Sequence, residues 1–135
     1  MKELDITAVK DNLDTVMSFV DEQIEDIECS PKTQMQIDLA VEEIFINIAS
    51  YAYNPETGNT TVRVEVDKEI PAVKITFIDH GVPYDPLAKA DPDITLAAED
   101  RRIGGLGIFL VKKNMDDIKY EYVNGSNILT IVKDL

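Results

Sequence analysis

Polar and apolar residues alternate over Lys2-Glu3-Leu4-Asp5-Ile6-Thr7, a pattern that suits a short strand. The spacing then turns helical, with Val9, Leu13, Val16, Met17, Val20 and Ile24 on one face. Ser30-Pro31 opens a second helix, because serine caps well and proline fits the first helical position. That helix is expected to run to about Tyr53, where Asn54-Pro55 and Gly58 break it. From Thr60 to Val66 the alternation returns with Val62, Val64 and Val66 inward, and Val73 to Ile78 continues the sheet after a turn at Asp67–Pro71. The stretch from Asp79 to Gly107 differs. It holds Pro83, Pro86, Pro92 and three late glycines, with room only for a short helix around Ile94 to Glu99. A connection this long in a compact domain is usually functional, often a lid. A third helix begins at about Gly107, and strands over Ile118–Val123 and Asn127–Val132 flank a turn at Asn124-Gly125. The order β-α-α-β-β-lid-α-β-β predicts one α+β domain over 1–135: a two-layer sandwich, its sheet mixed but mostly antiparallel, with the helices on one face.

Composition narrows the function. The net charge is −13, from 13 basic and 26 acidic residues, which leaves no basic stripe for a phosphate backbone. Direct nucleic-acid binding is therefore not expected. The acidity suits a partner with a basic face, and it equally suits plain solubility. No apolar run approaches the ~20 residues of a membrane span, and acids stand where a signal peptide would carry an apolar core. Cys29 is the only cysteine and has no internal partner for a disulfide, so a cytoplasmic setting is expected. The acidic run Asp21-Glu22-Glu25-Asp26-Glu28 reads as a solvated helix face.

Three motifs carry candidate chemistry. Glu43 and Asn47 are four apart on the second helix and so share a face; together they could hold a hard cation and orient a hydroxyl, or form a polar rim to the core. Asp79-His80-Gly81 ends a strand in an acid followed by a glycine. The acid can accept a hydrogen bond from an exocyclic amine, and a residue without Cβ lets a flat ring approach; a simple turn has the same letters. Gly104-Gly105-Leu106-Gly107 runs straight into an apolar helix, whose start is a phosphate cradle or a flexible hinge. It is not a Walker loop, because no Gly-Lys-Ser/Thr is present.

In this order, Glu-x-x-x-Asn, Asp-x-Gly and Gly-Gly-x-Gly resemble the N, G1 and G2 boxes of the GHKL, or Bergerat, ATP-binding fold. The chain is most similar to the compact anti-sigma-factor serine/threonine protein kinases, a branch of the histidine-kinase-like ATPases. Gly81-Val82-Pro83-Tyr84-Asp85-Pro86 resembles the segment that follows the G1 aspartate in that family. The resemblance implies ATP and Mg2+ as cofactors, with Glu43 as general base on an acceptor serine and Asn47 as the magnesium ligand. Asp79 would pair with adenine and Gly81 would pack beneath it. Gly105, Leu106 and Gly107 would offer N–H groups to the phosphates, and Gly104 would hinge a lid over about 82–106. Thr130 matches a strand threonine that supports the adenine-reading aspartate.

The implied partners are a sigma factor and an anti-anti-sigma protein, with a homodimer also implied. A non-catalytic, nucleotide-gated binding module is the alternative. Two departures stand out: Tyr51 replaces the histidine that often follows the family's asparagine, and Arg101 and Arg102 sit about one residue out of register with the expected lid arginine. His80, the only histidine, reads as a strand-end residue near the pocket and not as a phosphoacceptor.

Overall fold

The computed structural model describes residues 1–25, 27, 29–53, 56–88 and 105–135. Five strands and three helices follow the expected order: β1 (Lys2–Thr7), α1 (Leu13–Ile24), α2 (Pro31–Tyr51), β2 (Asn59–Asp67), β3 (Ala72–Asp79), α3 (Gly105–Asn114), β4 (Asp117–Val123) and β5 (Ser126–Asp134). Two short 3-10 turns, Lys10–Asn12 and Pro86–Ala88, complete the described elements. The first helix starts later than its apolar spacing suggests. Asn12 donates its side-chain amide to the Thr7 carbonyl at 2.9 Å, and the chain makes a tight turn there before α1 begins.

The sheet runs β1-β2-β3-β5-β4 and every described pairing is antiparallel, in keeping with the mostly antiparallel sheet expected. β3 and β4 are therefore parallel to one another with β5 between them, so the connection through α3 is a split β-α-β crossover. At the hairpin between β4 and β5, Asn124 (φ 51°) and Gly125 (φ 80°) both lie in the left-handed region that a two-residue turn of this kind demands.

Local chemistry explains the helix ends. Ser30 accepts the Thr33 N–H at 3.1 Å, and Pro31 fills the first position of α2. At the other end of the fold, Lys133 donates to the Asn114 carbonyl at 2.7 Å and satisfies the last turn of α3. α2 contributes Ile37, Ala40, Val41, Ile44, Phe45 and Ile48 to the core, a stripe repeating every three or four residues. They meet Val62, Val64, Ile75, Phe77 and Ile131 from the inward positions of the sheet. Among the described residues no helix is long and apolar enough to cross a membrane.

Between α1 and α2 the acidic run is less uniform than its sequence suggests. Gln34 Nε2 donates to Asp21 Oδ1 at 2.7 Å and to Asp38 Oδ1 at 3.3 Å, bringing two carboxyls together. Burial, then the hydrogen bond and charge of Asp38, push Asp21 up to about 7 from its ordinary 3.8. The folded state holds this proton more tightly than the unfolded chain, so the pair contributes most below pH 3.8 and its contribution is lost as pH rises to about 7. Asp21→Asn should match the wild type in urea unfolding near pH 4 and exceed it at pH 8.

Candidate functional site

The site is built along α2. Glu43 and Asn47 stand one turn apart on a helix whose neighbouring positions Ile44, Phe45 and Ile48 are buried. Asn47 Oδ1 is itself buried and, among the described residues, has no hydrogen-bond partner. An acceptor buried without a partner costs about 1–3 kcal/mol, a cost that a donor or cation from outside would remove. Burial pushes the Glu43 carboxyl above the ordinary carboxylate range, and the adjacent Glu42 charge adds to the shift. The start of α3 reaches this carboxyl: a Cβ on Gly107 would run into Glu43 Oε2. Gly105, Leu106 and Gly107 form the first turn of α3, where backbone N–H groups have no intrahelical partner and the helix dipole is positive.

At its other end α2 meets the chain leaving β3. The Ala52 carbonyl accepts the Val82 N–H at 3.0 Å, and a Cβ on Gly81 would collide with that same carbonyl. Asp79 closes β3 at 5 % exposure, and its Oδ1 accepts the Gly81 N–H and the Asn127 side-chain amide, each at 2.9 Å. A cavity of about 40 Å3 lies here, lined by Asn47, Ile48, Tyr51, Asp79, Tyr84 and Asn127 among others. From Glu43 to Ala52 the helix rises about 13 Å, so one helix separates and aligns the Glu43 carboxyl and the close contact with Gly81.

The structure thus brings Gly107 against Glu43 on α2, gathers Asn47 and Asp79 on one cavity nearer the C-terminal end of that helix, and sets Gly81 against Ala52. Thr130 is not beside Asp79. It alternates to the opposite face of the sheet, opposite Thr76 and Lys119, while Asn127 pairs in register with Asp79 on the inner face. His80 lies off the pocket, its Nδ1 2.9 Å from Ser126 Oγ. Gly104, Arg101, Arg102 and the short helix expected around 94–99 lie outside the described residues.

Two residues that sequence reasoning passed over matter as much as those it selected. Asn127 occupies an inward position in the alternation Asn127, Leu129, Ile131, where an amide has no place in a purely apolar stripe, and that mismatch was the available signal. Tyr53 accepts the His80 N–H at 2.8 Å and donates to the Asn59 carbonyl at 2.6 Å, riveting the end of α2 to β2 and β3. Nothing in its local pattern distinguished it from a core tyrosine.

Comparison with known proteins decides the family. The profile of the histidine kinase-like ATPase domain matches residues 6–133. This chain belongs to the histidine kinase-like ATPase domain family. Its curated relatives include the serine/threonine-protein kinase BtrW of Bordetella bronchiseptica, 26% identical over 102 residues that cover 76% of this chain and 71% of that protein. The serine-protein kinase RsbW of Listeria monocytogenes is 31% identical over 98 residues, 69% of this chain and 61% of that protein. The matched region thus spans between 61% and 71% of the length of these two relatives. Among solved structures, the RsbU and RsbW domains of a Mycobacterium tuberculosis protein superpose with a TM-score of 0.68 at 15% identity, covering 100% of this chain and 33% of that one. The histidine kinase domain of a blue-light activated histidine kinase from Erythrobacter litoralis gives 0.55 at 14% identity, covering 91% and 59%. Both share the family fold.

The two ends of the site should respond differently to mutation in urea unfolding of the ligand-free protein. Gly81→Ala forces a methyl against backbone and should lower stability by about 1–3 kcal/mol. Asn47→Ala removes a buried amide oxygen that has no partner among the described residues and should stay within about 1 kcal/mol of the wild type or exceed it.

Proposed function

We propose that this chain is an ATP-dependent protein serine/threonine kinase and anti-sigma factor, holding ATP and Mg2+ along α2 and phosphorylating a small antagonist protein. The observation that supports this most is the unpaired, buried Asn47 Oδ1, one turn from a carboxyl that abuts the first turn of α3. The groups present suit such a ligand. An amide oxygen is a hard donor of the kind magnesium takes, and first-turn amides suit phosphate. A buried carboxylate beside a glycine suits the amine and face of adenine. Relatives that carry the name serine-protein kinase support the same reading.

Bound Mg-ATP would supply the phosphoryl group and the neutralising charge. The chain's share is positioning and proton transfer, as is general for phosphoryl transfer. Glu43, deprotonated, takes the proton of the acceptor serine hydroxyl, and its raised pKa makes it a stronger base than an exposed carboxylate. Asn47 lends its Oδ1 to the cation. Asp79 accepts from the exocyclic amine above Gly81, while Gly105, Leu106 and Gly107 donate backbone N–H groups to the phosphates. The partners on this reading are a sigma factor, held by the chain, and the anti-anti-sigma protein that it phosphorylates; the −13 net charge suits a basic face on one of them, and the chain works as a homodimer.

Isothermal titration with ATP, with and without magnesium, tests the pocket. Binding should be magnesium-dependent and in the micromolar range, about −8 kcal/mol, and Asn47→Ala should abolish the magnesium dependence. Absence of saturable binding would overturn the reading. For transfer, Glu43→Gln should keep nucleotide affinity and lose phosphoserine formation on the antagonist. In the wild type that rate should fall as pH drops through the raised Glu43 pKa. Tight binding without any phosphoserine would leave only the nucleotide-gated binding module.

A further inference from the structure

Three polar side chains are buried in the described core: Thr60, Asp79 and Asn127. Thr60 spends its hydroxyl on the neighbouring strand, donating to the Ile78 carbonyl at 2.8 Å. Asn127 is different, because four of the five partners of its amide line the cavity, the exception being the Gly81 carbonyl at 3.5 Å. Its Nδ2 donates to Asp79 Oδ1 and to the Val82 carbonyl, each at 2.9 Å. Its Oδ1 accepts the Tyr120 hydroxyl and, at 3.2 Å, the Tyr84 N–H. Asp79, Val82, Tyr84 and Tyr120 all line the cavity, as does Asn127 itself.

These bonds fix which way the amide points. A flipped Asn127 would set its NH2 against two donors and its oxygen against a carboxylate and a carbonyl. Burial pushes the Tyr120 phenol above its ordinary range, so the hydroxyl stays a donor and holds the oxygen end in place. The amide in turn fixes Asp79. Both described bonds to that carboxylate fall on Oδ1, from Gly81 N–H on one side and Asn127 on the other. Two donors on one oxygen hold the carboxylate plane and leave the second oxygen for a ligand. With Asn127 gone, one backbone bond would remain and the plane would be free to swing.

We propose that Asn127, oriented by Tyr120, is the positioning residue that aims Asp79 at the 6-amino group of the base while tying the Val82–Tyr84 segment to the sheet. This rests on the nucleotide-binding reading above. A residue that only filled the core would affect all nucleotides alike, whereas one acting through Asp79 must affect those with a 6-amino group selectively.

Titration of the full chain with Mg-ATP and with magnesium purine riboside triphosphate, which lacks the amine, separates the two. The wild type should favour ATP by about tenfold or more, the scale of one hydrogen bond to a charged acceptor. Asn127→Ala should reduce that preference to within about threefold; loosening of the Val82–Tyr84 segment lowers affinity for both nucleotides alike, and the loss for ATP should exceed the loss for the analogue. An equal loss for both nucleotides, with the preference intact, would overturn the proposal. A wild type that binds both equally would instead overturn the reading of Asp79. If Asn127→Ala does not unfold cooperatively, Tyr120→Phe decides: it keeps the ring, removes the donor that orients the amide, and should also lower the preference. An unchanged preference there would sink the relay.

Discussion

Where the chain leaves β3 it passes the end of α2 with no room for a side chain, and the layout of the site depends on that contact. The Ala52 carbonyl belongs to the last turn of a helix and would otherwise lack a partner. Val82 supplies one, and the approach is close enough that position 81 has to be glycine. Tyr53 adds a second tie to β2 and β3 through its hydroxyl. The helix layer is thus pinned to the sheet by backbone geometry at one end of α2. Packing of α3 then decides what faces Glu43, further back along the same helix.

The molecule treats its buried polar groups in three ways, and the contrast is informative. Asp21 and Asp38 share the Gln34 amide as a donor, and burial with the neighbouring Asp38 pushes the Asp21 carboxyl up to about 7. Asp79 Oδ1 is met by two donors, the Gly81 N–H and the Asn127 side-chain amide. Asn47 has neither arrangement. Two of these groups are settled by the fold itself, while the third is left open on the wall of a cavity, where an unmet acceptor has a use.

Much of this was legible in the sequence. Element order, helix capping at Ser30 and the hairpin at Asn124-Gly125 follow from local rules that act within a few residues, and those elements lie where their patterns place them. Glu43 with Asn47, and Asp79 with Gly81, were also readable, because helix periodicity and strand ends fix which residues share a face. What escaped were relations across strands. Thr130 and Asn127 are three residues apart and thus on opposite faces, and only the register of β5 against β3 tells which one meets Asp79. The role of Tyr53 depends on a hydrogen bond to His80, 27 residues away, which no local pattern encodes.

That register has a further consequence for how the protein is made and kept. Asp79 and Asn127 are 48 residues apart along the chain, and Thr7 and Asn59, which join β1 to β2, are 52 apart. Closing a loop of that size costs roughly 3–4 kcal/mol in chain entropy before any contact repays it. The β2–β3 and β4–β5 hairpins are local and can form early, but the aspartate's pocket exists only once they have joined. Whatever fills that pocket binds the finished sheet alone and draws the folding equilibrium toward it by mass action. The cellular level of this protein, and not merely its activity, would then track the supply of its ligand.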